Sequence, residues 1–434
     1  MLPLILNVGL YAGSAILLRL AGFAIFLWLA RSLTVADYAA WGLLYALQTG
    51  IATFGLTGII EAVVGLLKER SSSEERQDLF AAANVAFLIV SMVTVVLAAL
   101  FFAGTVKPGT ASVLALVLAI GSGILLAYAA LQAQIVRLNE KHLASLCFNF
   151  LVPLAGFLGS AVAFYFVRTV ASYFAGLALG AGIFLVGATA WLRPAAIAET
   201  SRNLRPILLR IHPFIFVGLI GWLSGYGTNY LINGFFPALQ VARFTFIFSL
   251  SAAMQLVATS MNQVWSPRFY NLIHNEPVVG VERQNRFFFQ LEALVLGLAG
   301  AGMLLLYPFA IRILGGNAAN YADMRPELLL LILGYVVSVP NWHAQNYLLA
   351  FDQGKAIRDV HIVTGIVGAA LLVLLMWWLG AMGIYLGFLA QMLLRAIGLF
   401  WCARQRWPVL LSWQGIVGGA LMACCGFFCS NMLA

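Results

Sequence analysis

Polar residues are sparse in this chain and arrive in clusters, with long apolar runs between them. A helix needs about 20 apolar residues to cross the hydrocarbon of a bilayer. Thirteen runs reach roughly that length: 7–30, 38–66, 79–103, 111–136, 143–167, 172–192, 213–235, 244–266, 287–311, 327–350, 360–379, 383–403 and 414–433. Barrel-type alternation is absent from them, so the pattern predicts α-helices throughout. The clusters KERSSSEERQ, RLNEKH, RPAAIAETSRNLRPILLR, RFYNLIHNEPVVGVERQNR, DQGKAIRD and RQRW are read as connecting loops. The longest non-membrane stretch, 193–212, follows six spans and predicts an amphipathic linker on the membrane surface. It would join an N-lobe, 1–192, to a C-lobe, 213–403, with 404–434 as an extra C-terminal helix.

Composition sharpens this picture. The chain has 434 residues, 63% of them apolar and 9% charged, and a mean hydropathy of +0.97. A soluble domain of this size needs far more charge on its surface. The net charge of +9 would suggest nucleic acid in a soluble chain; here the basic residues are read as topology signals, and no nucleic-acid partner is expected. Sixteen of the 24 Lys and Arg residues lie in the clusters quoted above, which occupy alternate loops. The opposite loops hold Arg31, Lys107, Arg168, Arg243, Arg312 and Arg325. The positive-inside bias puts the clusters and the N-terminus in the cytoplasm, and thirteen spans then leave the C-terminus outside. The opening MLPLILNVGLY has no basic start and no cleavage site after it, so the first segment reads as a retained helix.

Several chemistries are excluded. The five cysteines sit within apolar segments, with neither metal-ligand spacing nor a disulfide framework. No phosphate-binding glycine loop, nucleophile elbow or zinc-ligand helix is present. The external loops leave no room for a catalytic domain. A transporter is expected rather than an enzyme, with no cofactor and no metal, working downhill or coupled to an ion.

The sharpest features are two arginines inside spans, Arg19 in the first and Arg395 in the twelfth. A charge at bilayer depth costs about 3 kcal/mol on insertion scales. Either each snorkels or pairs within the protein, or each faces water and attracts an anion, for which a guanidinium suits phosphate. Among the acids, Glu61 in GIIEAVVGLL is the better ion-coupling candidate. Glu292 is expected at a helix end reaching headgroup water, and Asp37 at the external start of the second span. Span seven, GLIGWLSGYGTNYLINGFF, reads as a bendable helix or a close-packed one, with Tyr226 and Asn229 offering hydrogen bonds to a sugar. Gln255, Thr259 and Asn262 share one face of span eight by their i, i+4, i+7 spacing. Gln48, Thr49, Thr53 and Thr57 form a comparable polar set in span two. Pro340 breaks span ten, and His343 beside it is either a packing residue or a proton carrier.

Two further patterns point to a family. VADYAAWGLL follows the first span and VARFTFIFSL the seventh, a faint internal repeat of the kind two-lobed transporters carry. The opening LLRLAGFAIFLWLARSLTVADYAAWGLLYALQTGIATFGLTGIIEAV resembles the polysaccharide transporter family, of Wzx type, in the multidrug/oligosaccharidyl-lipid/polysaccharide exporter superfamily. Arg19, Gly22, Ala30, Arg31, Leu33, Asp37, Tyr38 and Gly42 carry that resemblance over about the first 70 residues. It implies two six-helix bundles in a V around a central cavity, 12–13 transmembrane helices in all. It implies flipping of undecaprenyl-pyrophosphate-linked sugar units across a bacterial inner membrane, with Arg19 meeting the anionic carrier. Membrane lipids, a polysaccharide polymerase and a chain-length regulator would be the partners. Rival readings are a cation-coupled multidrug exporter, which calls for acidic groups at depth, a membrane polymerase, and a non-transporting scaffold.

Overall fold

The computed structural model describes residues 2–67, 72–106, 109–139, 141–192 and 201–433, with the backbone alone over 2–12 and at a few later helical positions. Lys68, Arg70, Lys107, Arg193 and the first part of the expected linker therefore lie outside the described residues. The described chain is helical, with no strand. In order come α1 (Leu2–Ser32), α2 (Val35–Leu67), α3 (Ser73–Thr105), α4 (Val113–Leu138), α5 (His142–Leu146), α6 (Val152–Phe166), α7 (Val170–Leu192) and α8 (Ser201–Leu223). Then follow α9 (Thr228–Phe235), α10 (Ala238–Asn275), α11 (Val278–Leu314), α12 (Arg325–Val337), α13 (Val339–Ala350), α14 (Gly354–Leu379), α15 (Met382–Arg404) and α16 (Trp413–Leu433). Eleven of the expected spans are long and apolar enough to cross a bilayer. The first is helical as α1, and the seventh is divided into α8 and α9 by the turn Ser224–Gly227.

The helices outrun the apolar windows, because a helix ends at its caps rather than at the edge of the hydrocarbon. Where the sequence reads a loop from Arg268 to Arg286, α10 continues to Asn275 and α11 begins at Val278, with the cap residues Glu276 and Pro277 between. Glu292 consequently stands about four turns inside α11 and is fully buried, not at a helix end. At α5 and α6 a π-turn, Cys147–Leu151, precedes Pro153. The missing proline N–H is the physical reason for the irregular ladder.

Contacts divide the chain into two compact units. One comprises Met1–Trp222 and Tyr226–Gly234, the other Leu223–Gly225 and Phe235–Ala434. In the first, Ile59, Val63, Phe80, Phe87, Leu131 and Ile135 form a core with Ile207 and Ile211 of α8. Residues 201–212, expected as surface linker, are thus the amphipathic start of a packed helix: Arg205, Leu208, Leu209 and Arg210 stay exposed while Ile207 and Ile211, one turn apart, face the core.

Lipid tails are as apolar as a leucine core, so helix association within a bilayer rests on close packing. The glycines show where. A methyl group at Gly159 or Gly176 would collide with the backbone of the other, which seals α6 against α7. In the second unit a methyl group at Gly297 would collide with the Gly419 backbone and one at Gly419 with the Ala293 carbonyl, between α11 and α16, and Gly426 lies against Ala301. Arg325 Nη1 also donates to the Ser430 carbonyl at 2.8 Å. The thirteenth expected span is therefore a helix packed along α11. The outer surface is apolar: Val96, Leu100, Ile183 and Val186 are exposed, as are Trp377 and Trp378 at the end of α14. Such a surface fits lipid contact and an interfacial aromatic belt.

Candidate functional site

The polar residues at depth fall into one cluster in each unit. In the first, α2 supplies backbone carbonyls that span seven engages. Trp222 Nε1 donates to Ala46 O at 2.7 Å and Tyr230 OH to Leu43 O at 2.8 Å. Asn229 Nδ2 reaches Gly42 O at 3.5 Å. Asn229 is fully buried in this seam. Tyr226 lies in the turn, half-buried, its ring edge-on to Tyr45 at 5.1 Å. Gln48 is buried and donates to Ser122 Oγ at 2.9 Å. Thr53 turns its hydroxyl onto the Thr49 carbonyl at 2.9 Å, and its methyl packs toward Gly218. The side chain of Thr57 lies outside the described residues. Span seven is therefore held by hydrogen bonds, and bent at 224–227, where Gly227 N–H closes the turn on Trp222 O.

Arg19 and Glu61 differ from these: both are exposed. Among the described residues Arg19 has no hydrogen-bond or ion-pair partner. Arg31, Asp37 and Tyr38 frame the corner after α1. Thr34 Oγ1 accepts from Asp37 N–H at 3.2 Å and donates to Asp37 Oδ2 at 2.7 Å, capping α2. Tyr38 stacks on Trp41, and Trp41 on Tyr45.

The second unit's cluster centres on α13. His343 is 2% exposed. Its Nδ1 lies 2.6 Å from Asn285 Oδ1 and its Nε2 3.1 Å from Glu292 Oε2, both on α11. Trp265 and Phe289 flank the ring. One turn on, Tyr347 OH donates to Glu282 Oε1, a carboxylate that also accepts from Trp407 Nε1 at 2.7 Å and Leu410 N at 2.8 Å. Asn346 Nδ2 donates to Asn262 Oδ1 at 2.8 Å, tying α13 to α10. Gln345 Nε2 stands 3.0 Å from His361 Nε2 on α14. Thr259 is half-buried and bonds its own helix at Gln255 O, while the Gln255 side chain is exposed.

Arg395 on α15 is half-buried. Its Nε and Nη2 atoms are buried and have no protein acceptor among the described residues. Glu282, Asn285 and His361 escape a reading of the sequence alone, and Glu292 is read there only as a helix-end acid. Their signal was spacing: Glu282, Asn285 and Glu292 repeat at i, i+3 and i+10, which is one face of a helix. No group of three or more metal-ligating side chains occurs among the described residues.

This architecture has known counterparts. A solved structure titled "Lipid II flippase MurJ, inward closed conformation" superposes with a TM-score of 0.77 at 13% identity, covering 98% of this chain and 92% of that one. A eukaryotic MATE transporter, AtDTX14, gives 0.55 at 12% identity, covering 98% and 95%. A MATE protein in its straight conformation gives 0.54 at 13% identity, covering 91% and 93%. At these identities the likeness concerns the fold. No curated protein matches the chain. Its sequence, however, matches the family described as "Polysaccharide biosynthesis protein" over residues 4–273. That match takes in α2 with its capped corner and nearly all of α10, more than half of the chain, and so this multi-pass membrane protein belongs to the polysaccharide biosynthesis protein family.

Proposed function

We propose that the chain flips undecaprenyl-pyrophosphate-linked oligosaccharide repeat units, of O-antigen, capsule or exopolysaccharide, across a bacterial inner membrane. It works by alternating access, with its N-terminus in the cytoplasm, and without enzymatic chemistry. The observation that carries the reading is Arg19, a permanent cation midway along α1, exposed and with no acidic partner among the described residues. An anionic lipid carrier would supply the missing counter-charge by a bidentate grip. The family and the flippase fold support it. A polymerase and a chain-length regulator would receive the product. Reset of the carrier is assigned to a proton or cation, with Glu61 and His343 as the groups that would bind it; the Glu292 contact of His343 supports the latter. The multidrug-exporter rival needs acids free to meet a cationic drug; Glu282 and Glu292 are buried on protein partners, and the exposed Glu61 is the acid that reading would have to use.

Complementation of a flippase-deficient strain tests this, using Arg19→Ala and Arg19→Lys at matched protein levels. Arg19→Ala is expected to abolish surface glycan and Arg19→Lys to restore part of it. Full activity of Arg19→Ala would sink the reading.

A further inference from the structure

Arg395 poses a specific electrostatic problem. It stands about 14 Å, measured along the helix, from the Arg404 end of α15. The burial of Nε and Nη2 shows that this edge of its head group does not reach water. These two nitrogens form one edge of the guanidinium. Arg358 uses the same edge to grip Asp359, with Nε and Nη2 at 2.9 and 2.7 Å from one carboxylate oxygen. In Arg395 the fork is buried without an acceptor, and no carboxylate among the described residues offsets its charge. A buried, unpaired charge of this kind is strongly destabilising. His361 of α14 lies within electrostatic range of it and, accepting a hydrogen bond at Nε2, brings no negative charge to offset it. Gln345 donates its amide to His361 Nε2, which places the ring proton on Nδ1 and makes that nitrogen a second donor. α14 and α15 are locked together around this point, Gly398 against Val360 and Gly368 against Gln391. Arg395 and His361 both keep partial exposure, so the group is not sealed from the surface of the unit.

We propose that Arg395, His361 and Gln345 form an oxyanion-binding subsite built within the second unit, and that its ligand is the pyrophosphate of a polyprenyl-linked substrate. The site itself rests on this cluster; only the identity of its ligand rests on the transport reading above. Arg395 and His361 touch the anion, while Gln345 acts through His361 as a positioning residue.

Thermal unfolding of the purified full-length protein, with and without ligand, tests the site. Farnesyl pyrophosphate and inorganic pyrophosphate are the probes, with sulfate at equal ionic strength as control. Farnesyl pyrophosphate is expected to raise the melting temperature of the unsubstituted protein. Arg395→Met is expected to melt no lower than the unsubstituted protein without ligand, and to gain nothing from pyrophosphate. His361→Asn should bind farnesyl pyrophosphate about tenfold more weakly, the loss expected for one charge-assisted hydrogen bond. Arg395→Lys, which keeps the charge and loses the fork, covers the case in which Arg395→Met does not fold, and should weaken binding by a similar factor. Gln345→Leu should lower farnesyl pyrophosphate affinity in the presence of His361 and change nothing in a His361→Asn background. An equal shift from both pyrophosphates supports the site and assigns it a soluble anion. No shift from either, or the same shift from sulfate, overturns it, as does an Arg395→Met protein that melts far lower yet still responds to pyrophosphate. A protein that binds pyrophosphate but moves no lipid-linked glycan would refute the transport reading and leave the site standing.

Discussion

Glu292 and His343 meet at 3.1 Å where each alone would be costly. A buried pair of this kind gains little over well-packed apolar side chains, yet removing one partner strands the other. Glu292→Ala is therefore expected to cost about 3–5 kcal/mol, read as a fall in melting temperature. The double variant Glu292→Leu with His343→Leu should recover most of that loss. Strict additivity of the single substitutions would mean that the two do not act as a pair. Thr34 presents a smaller case: its hydroxyl accepts from Asp37 N–H and caps α2, so Thr34→Ala should cost about 1 kcal/mol and leave the proposed glycan export intact. At this scale the sequence was only partly legible. The charges at depth stood out, because any charge in an apolar run does. Which of them were paired did not, since pairing depends on helix rotation and on true helix ends. Glu292 looked terminal only because α11 starts well before its apolar window, and His361 lies two turns into α14 for the same reason.

Helices as units were far easier to read, because length and apolarity alone define a span. The break in span ten was signalled by Pro340 and the bend in span seven by its glycines. The π-turn at Cys147–Leu151 and the role of Ile207 and Ile211 were not readable, as both depend on what the helix packs against. Packing of α16 depends on Gly297 and Gly419, whose backbones come too close for any side chain between them. Gly419→Leu should push α16 from α11 and lower the melting temperature by several degrees, roughly 2–4 °C per kcal/mol lost. Gly221, with open space around it, is the matched control, and Gly221→Ala should leave the melting temperature nearly unchanged. Equal effects of the two would contradict the packing assigned to Gly419.

For the whole molecule, the count of spans sets the placement of the chain ends. With thirteen spans and a cytoplasmic N-terminus, a periplasmic alkaline phosphatase fused after residue 434 should be active, and the same fusion after Arg404 inactive. An active Arg404 fusion would reverse the orientation. The alternation of basic loops carried this expectation, and it is independent of any pair contact inside the fold.

The α13 segment also bears on how the protein is made. Arg325–Ala350 is the least apolar of the eleven candidate spans and the most buried. Asn341, His343, Gln345 and Asn346 would make it a poor substrate for insertion by itself. Its hydrogen-bond partners on α10 and α11 precede it in the chain, while the partner on α14 follows. The two earlier helices would thus be in the membrane already when α13 leaves the translocon, ready to receive its polar face. Replacing Asn262, Asn285 and Glu292 together should trap chains with α13 outside the bilayer during synthesis, a biogenesis defect that glycosylation or protease mapping would register separately from any loss of stability in the finished protein.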